Sequence, residues 1–126
     1  MTPNSPQAAD VKATLDKLIH GVTSQGFDVL EMTYHDEMRI YMLKGHEVLH
    51  QMDKVGFIAH MKQSMDAVDT PSTWAKYHLV EADEKHGHIV ISRKVNLTGN
   101  EQMVTLSIDF VYEDSRWQIT REVIFT

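Results

Sequence analysis

The residue whose chemistry stands out in this sequence is Asp109, a carboxylate in the middle of an apolar strand. Apolar side chains alternate along residues 104–111, which is the pattern of a strand with one covered face. A carboxylate in such a strand needs partners, because burying an unpaired charge is costly. Ser107, two residues earlier in the same strand, shares the face of Asp109. Short turns before and after the strand would bring Arg93 and Arg121 to this face as well. The sequence therefore predicts a charge cluster centred on Asp109.

Two interpretations of this cluster are open. Its ion pairs can serve only to fix the register of neighbouring strands. In a concave sheet, the same groups would meet an apolar ligand pocket, where the arginines bind an anion and Asp109 orients them. The other residues predicted to line this pocket are Tyr34, Met42, Trp74 and Phe125. A register slip of one residue would remove the grouping.

A second motif, HEVLH at residues 46–50, has the H-E-x-x-H form of zinc proteases. That motif binds zinc on a helix, where side chains four residues apart share a face. Here a Lys44-Gly45 turn precedes it and a helix cap at Asp53 follows, so a strand is expected, with the two histidines roughly 13 Å apart. We therefore expect no zinc protease chemistry, and the sequence predicts no cofactor. No Ser-His-Asp pattern is recognised either.

The elements that position these residues follow from hydrophobic periodicity. Helical spacing predicts three helices. The first is capped by Asp10, the second begins at Asp28 and the third is capped by Asp53. Period-two alternation predicts strands over residues 34–43 and 47–52 and a four-stranded meander from residue 75, with turns near 86–87, 98–100 and 113–115. Residues 1–7 are predicted as a flexible tail and 8–126 as one α+β domain. Its three helices would pack on the concave face of a bent, mainly antiparallel six-stranded sheet, forming a cone-shaped barrel.

Composition argues against several classes of function. The 126 residues carry a formal charge of −6, whereas nucleic acid would need a concentrated basic surface. The absence of cysteine excludes thiol catalysis and zinc–thiolate sites. No apolar run approaches the roughly 20 residues that span a bilayer, so no membrane association is expected, and a cytoplasmic location is the default.

The other face of the predicted hairpin favours self-association. Val104, Leu106, Ile108 and Phe110 would form an apolar surface on the convex side of the sheet. Because the helices can cover only the concave side, this surface would be exposed in a monomer. The sequence therefore predicts a homodimer through the convex sheet face.

The order of these elements carries a resemblance to a known family. The segments that carry the resemblance are the YHDEM opening of the first strand, the KGHEVL segment and the final IDFV and REVIF strands. From about residue 8 to 126, the chain resembles the nuclear-transport-factor-2-like superfamily. The resemblance implies a bent sheet wrapped by three helices around a cavity, usually paired as a dimer through the outer sheet face. Its members include ketosteroid isomerase, scytalone dehydratase, polyketide cyclases and transport factors.

Ketosteroid isomerase is the member that can be compared residue by residue. Asp109 stands where that enzyme keeps the protonated aspartate of its oxyanion hole. Its base aspartate corresponds to Met42 and its tyrosine falls near Leu18, so two of the three catalytic groups are missing and this activity is not expected. The leading hypothesis is a domain that binds a small, partly apolar, anionic molecule. An isomerase, dehydratase or cyclase using Asp109 as acid or base, and a non-catalytic dimerisation or interaction domain, are the alternatives.

Overall fold

Three helices cover one face of a single six-stranded sheet in the computed structural model, which describes residues 5–23, 28–44, 47–66, 74–96 and 101–126. In chain order the elements are α1 (Pro6–Thr23), α2 (Asp28–Thr33), β1 (Tyr34–Lys44), β2 (Glu47–Asp53), α3 (Lys54–Asp66), β3 (Ala75–Ala82), β4 (His86–Asn96), β5 (Glu101–Glu113) and β6 (Arg116–Phe125). The strand order is β2-β1-β6-β5-β4-β3, and only the β1–β6 pair among these is parallel. The predicted α+β class, with a mainly antiparallel curved sheet, is confirmed.

The helix starts follow their capping residues. The amide of Ala8 donates to Ser5 Oγ at 3.0 Å, so Ser5 caps α1 and the helix begins at Pro6 rather than after Asp10. The predicted cap of α3 is confirmed, because Asp53 Oδ1 accepts from the amide of Gly56 at 2.9 Å. Residues 1–4 of the predicted tail lie outside the described residues. None of the described helices is long and apolar enough to cross a membrane.

The core lies between the helices and the sheet face that they cover, which we call the inner face. Apolar side chains from α1 and from five of the strands are almost fully buried there. Each contributes roughly 1.5–3 kcal/mol relative to an exposed side chain. Among them are Val11, Leu15, Leu18, Met38, Ile40, Met42, Ile89, Ile91, Val104, Leu106, Ile108, Phe110, Ile119 and Ile124.

This core includes the residues that had been expected on the convex face. Val104, Leu106, Ile108 and Phe110 are between 1% and 6% exposed. They lie beneath the helices because strict alternation places one complete side of β5 against the core. The apolar surface on which the homodimer prediction rested is therefore interior, and the prediction of its exposure is wrong.

The register between β4 and β5 places Arg93 on the face opposite to Ser107 and Asp109. Arg93 pairs with Val104, three positions from Ser107, whose face it had been predicted to share. A shift by an odd number of residues moves a side chain to the opposite face of the sheet. Arg93 therefore shares the inner face with Val104, whereas Ser107 and Asp109 lie on the outer face. The turn predicted at residues 98–100 lies outside the described residues.

A bulge in β6 changes which of its side chains face inward. Asp109 pairs with Arg121, which shares its face as predicted, but the next residue of β5 pairs with Ile119, so Thr120 is an extra residue. Beyond the bulge, Glu122 takes an inner position, opposite the buried part of β5. Continuous alternation along β6 would place Arg121 on the face of Ile119, whereas the bulge moves it to the outer face.

The hairpin turn between β5 and β6 agrees with the sequence. Asp114 and Ser115 have φ angles of 55° and 63°, the left-handed conformation of a two-residue type I′ turn. This turn matches the right-handed twist of the flanking strands.

Candidate functional site

A group of polar side chains lies buried or half-buried on the helix-covered side of the sheet, and we call it the inner cluster: Asp16, Tyr34, Tyr77, Arg93 and Glu122. Tyr34 Oη donates a hydrogen bond to Glu122 Oε1 at 2.9 Å, and the two residues are only 3% and 4% exposed. Tyr77 Oη donates to Asp16 Oδ1 and so connects β3 to α1. Arg93 is close enough to Glu122 and to both tyrosines to act on their pKa values.

The carboxyl of Glu122 is the most perturbed acid of this cluster. Burial raises its pKa from the ordinary value of 4.5 to about 7. The hydrogen bond from Tyr34 and the positive charge of Arg93 act in the opposite direction and limit the rise. Glu122 can therefore gain or lose a proton near neutral pH.

The two tyrosines and the arginine of the inner cluster keep their usual protonation states near neutral pH. Burial raises the pKa of Tyr34 well above its ordinary value, and the negative charge of Glu122 raises it further. Burial and the hydrogen bond to Asp16 raise the pKa of Tyr77. Burial lowers the pKa of Arg93, while Glu122 opposes this shift. The cluster thus combines one titrating carboxyl, two hydroxyl donors and one buried cation.

A second group lies on the outer face of β4 and β5, and we call it the outer relay: Ser107, His88 and Asp109. His88 Nδ1 lies 2.6 Å from Asp109 Oδ1, directly across the strand pair. Ser107 Oγ lies 3.3 Å from His88 Nε2, the other ring nitrogen. The side chains of His88 and Asp109 are 22% and 47% exposed. One imidazole therefore bridges a hydroxyl and a carboxylate at a surface that reaches solvent.

The residues predicted to form one pocket are divided between the two faces of the sheet. Tyr34, Met42 and Arg93 lie on the inner face, and Ser107, Asp109, Arg121 and Phe125 on the outer face. Trp74 is exposed before β3, where Lys94 Nζ lies 5.1 Å from its ring centroid. The predicted grouping of Arg93 with Asp109 is wrong, because the β4–β5 register puts them on opposite faces. Their roles in binding or catalysis stay predictions.

Two functional candidates were missed because both depend on strand pairing. Glu122 faces inward only because of the bulge at Thr120. His88 meets Asp109 only in the observed register. Local spacing contains no signal for either contact, although a glutamate between apolar residues of the last strand was a visible feature of the sequence.

The H-E-x-x-H motif lies partly within a strand. β2 covers Glu47–Asp53, which agrees with the strand predicted there. His50 pairs with Met42 of β1, and His46 lies outside the described residues.

Comparison with known proteins gives matches to solved structures alone. No protein-family profile and no curated protein matches the chain. An NTF-2 like protein of unknown function from Silicibacter pomeroyi DSS-3 superposes with a TM-score of 0.75 and 15% identity, over 98% of each chain. An NTF2-like protein from Cytophaga hutchinsonii gives a TM-score of 0.73 at 12% identity, covering 97% of this chain and 99% of that one. An NTF-2 like protein of unknown function from Shewanella oneidensis MR-1 gives 0.72 at 10% identity, covering 95% and 99%.

This chain has the nuclear-transport-factor-2-like fold. At these identities the similarity shows the fold alone, so the function has to be argued from the side chains of the two groups.

The nuclear-transport-factor-2-like fold also corrects the comparison with ketosteroid isomerase. The resemblance had placed Asp109 at the position of a carboxyl inside the cone, but its side chain lies on the outer face with His88. The carboxyl that lies inside is Glu122. Met42 is buried on the inner face and supplies no base.

An open groove lies at the rim of the nuclear-transport-factor-2-like fold, between the β1–β2 pair and the start of α3. Its volume is about 500 Å³, and it is lined by Arg39, Gln51, Met52, Asp53 and Gly56. It shares no residue with the inner cluster or the outer relay.

Proposed function

We propose that this domain acts in the cytoplasm and binds a small, partly apolar, anionic molecule on the inner face of its sheet, with Arg93 binding the anion. The observation that carries the proposal is the burial of Arg93 beside Glu122, a carboxyl with a pKa of about 7. A buried charged pair is a poor source of stability compared with apolar side chains of similar volume. Perturbed ionisable groups on a concave apolar face are, by contrast, common in ligand sites.

The chemistry of the cluster defines the kind of ligand. A guanidinium binds carboxylate or phosphate through two parallel hydrogen bonds. Glu122 competes with the ligand for Arg93 when ionised and stops competing when protonated. Tyr34 and Met42, both buried, supply a hydroxyl donor and an apolar wall. A compact aromatic or aliphatic acid therefore fits these groups best.

A thermal-shift screen of metabolite carboxylates and aromatic acids tests this proposal. At a ligand concentration 100 times the Kd, binding stabilises a protein by about 2.7 kcal/mol, which gives a shift of several degrees. We expect Arg93→Met to abolish the shift. Arg116→Met is the matched control, because Arg116 lies exposed at the start of β6, belongs to neither group and should leave the shift unchanged.

Two outcomes of the screen would count against the site. One is the absence of any stabilising acid for the wild type. The other is equal stabilisation of wild type and Arg93→Met, which would place binding elsewhere on the molecule.

A second candidate function is an isomerase, dehydratase or cyclase in which Glu122, rather than Asp109, is the acid or base. The pKa of Glu122 near 7 favours it, since proton transfer is most efficient when the pKa lies near the working pH. The Tyr34 hydroxyl beside it could stabilise a developing oxyanion. Carbonyl compounds that bind in the screen would then exchange α-protons in D₂O, as seen by NMR. Binding without exchange, or exchange that survives in Glu122→Gln, would reject this role.

We further propose a homodimer through an apolar patch at one end of the outer face, formed by Leu43 of β1, Val48 of β2 and Phe125 of β6. Val48 and Phe125 are 57% and 47% exposed there, and Leu43 pairs with both. Their apolar surface would be removed from water in a dimer. Sedimentation velocity at micromolar concentration should show a dimer that Phe125→Glu dissociates. Leu79→Glu, on β3 at the far edge, is the control, and a monomeric wild type would refute the dimer.

A further inference from the structure

The outer relay has the connectivity of a nucleophilic serine site. His88 Nδ1 lies 2.6 Å from Asp109 Oδ1, and its Nε2 lies 3.3 Å from Ser107 Oγ. An ionised carboxylate only accepts hydrogen bonds, so Asp109 favours the neutral tautomer that carries its proton on Nδ1 and leaves Nε2 to take a proton from the serine. Since the three residues come from two adjacent strands of one sheet, the backbone holds their spacing.

A neighbouring hydroxyl network on the same face lacks these features. His78 Nε2 lies 2.7 Å from Ser92 Oγ, which lies 3.2 Å from Thr105 Oγ1. Ser92 is only 7% exposed, and the described hydrogen bonds of this network include no carboxylate. The comparison separates a network whose central hydroxyl, that of Ser92, is buried from the partly exposed relay.

We propose that Ser107 is a nucleophile, with His88 as its base and Asp109 as the positioning residue, and that the site takes acyl groups from small esters that carry an anionic group. Two exposed arginines of the outer face give the charge preference. Arg121 lies opposite Asp109, and Arg39 pairs with Arg121 on the next strand. A long side chain at Arg121 reaches the diagonal position of Ser107. It is placed to stabilise a carbonyl oxygen that becomes negative during attack.

The reaction is an ordinary acyl transfer to water. Ser107 Oγ forms a bond to the ester carbonyl carbon, and its proton passes to His88 Nε2. The tetrahedral intermediate then breaks the bond to the alcohol oxygen, which leaves with the proton from His88. Water, deprotonated by His88, attacks the acyl carbon; the bond to Ser107 Oγ then breaks, His88 returns the proton to this oxygen, and the acid is released. Ester and water become acid and alcohol, so no further reactant is needed.

A fluorophosphonate probe tests the nucleophile without knowledge of the natural ester. Ser107 Oγ would form a bond to phosphorus and displace fluoride, and peptide mass spectrometry would locate the modification. We expect labelling of the wild-type protein at Ser107, none at this position in Ser107→Ala, and labelling slower by about 100-fold in His88→Gln, which lacks the base. Thr105→Ala is the matched control, because it removes a hydroxyl from the same face of β5 and should leave the rate unchanged.

Hydrolysis of p-nitrophenyl hemisuccinate, an ester with a free carboxylate, tests the roles of the charged neighbours. Asp109→Asn acts through the orientation of His88, so it should lower kcat and leave KM unchanged. Arg121→Met should reduce kcat/KM for this ester more than for p-nitrophenyl acetate, which has no charge. Near-ultraviolet circular dichroism establishes that each variant is folded.

Three results would overturn the proposal: no labelling of Ser107 in the folded wild type, equal labelling in His88→Gln, or Ser107→Ala hydrolysing both esters at the wild-type rate. Each is independent of the ligand site on the inner face, because Arg93 and Glu122 are unchanged in every variant.

Discussion

Glu122 illustrates how strongly one backbone irregularity affects the chemistry of a single residue. If alternation ran through Thr120 without a bulge, the side chain of Glu122 would lie on the outer face and Arg121 would point into the core. With the bulge, the carboxyl is buried beside Tyr34 and Arg93, and burial raises its pKa to about 7. The inner position of Tyr34 was predictable from alternation, whereas the position of Glu122 required knowledge of the bulge.

The hydrogen bond from Tyr34 predicts how this pKa responds to substitution. Tyr34 donates to the carboxyl and so favours its ionised form. Removing the hydroxyl in Tyr34→Phe should therefore raise the pKa of Glu122 further. Carbon-13 NMR titration of the side-chain carboxyl, assigned by its loss in Glu122→Gln, measures the change. An unchanged or lower pKa in Tyr34→Phe would show that the hydrogen bond does not form in solution.

At the scale of elements, the sequence predicts what local interactions determine. The Asp53 cap, the turn at Asp114-Ser115 and the shared face of Asp109 and Arg121 depend on residues near one another in the chain, and all are confirmed. The predicted β4–β5 register was wrong, because the position of the connecting turn determines every residue pair of the two strands. A small error of turn position therefore moved Arg93 to the wrong face.

The packing of α1 on β4 gives a prediction at this scale. A Cβ atom added at the buried Gly87 would lie 2.9 Å from Val11 Cγ2, closer than side-chain carbons normally approach. Val11 is fully buried and stiff about χ1, so it cannot turn aside. We expect Gly87→Ala to destabilise the fold by roughly 1–3 kcal/mol in urea unfolding.

A double-mutant cycle separates this contact from the intrinsic cost of the substitution. Val11→Ala removes the obstructing methyl groups, so Gly87→Ala should cost less in that background than in the wild type. Equal costs in the two backgrounds would show that Val11 is not the obstacle. The matched substitution Gly56→Ala has only a 3.2 Å approach to a side-chain oxygen at the exposed start of α3 and should cost less than Gly87→Ala.

In the whole molecule, one sheet separates two groups of polar side chains, the inner cluster and the outer relay. Helices exclude water from the inner face, where the low dielectric shifts the pKa values of Glu122 and Arg93. The outer face holds Ser107, His88 and Asp109 at a surface that reaches solvent. The sequence predicted that polar residues of the last strands would mark the site, but alternation alone could not tell which face the helices cover.

The burial of Glu122 makes the stability of the whole domain depend on pH. Because folding raises its pKa from 4.5 to about 7, the folded chain holds a proton over a range in which the unfolded chain has lost it. This contribution is fully present below pH 4.5 and is lost as pH rises through 7, so the free energy of unfolding should fall between pH 5 and 8. The shift corresponds to about 3 kcal/mol in order of magnitude.

Urea unfolding of wild type and Glu122→Gln at several pH values measures this contribution. Both proteins share the eight histidines that also titrate in this range, so the difference between their two stability curves isolates Glu122. The wild type should lose stability relative to Glu122→Gln as pH rises from 5 to 8. Tyr34→Phe, in which the pKa of Glu122 is expected to be higher, should move the midpoint of that loss to higher pH. Parallel curves for wild type and Glu122→Gln would mean that Glu122 is solvated in the folded protein, and the ligand site proposed around it and Arg93 would lose its physical basis.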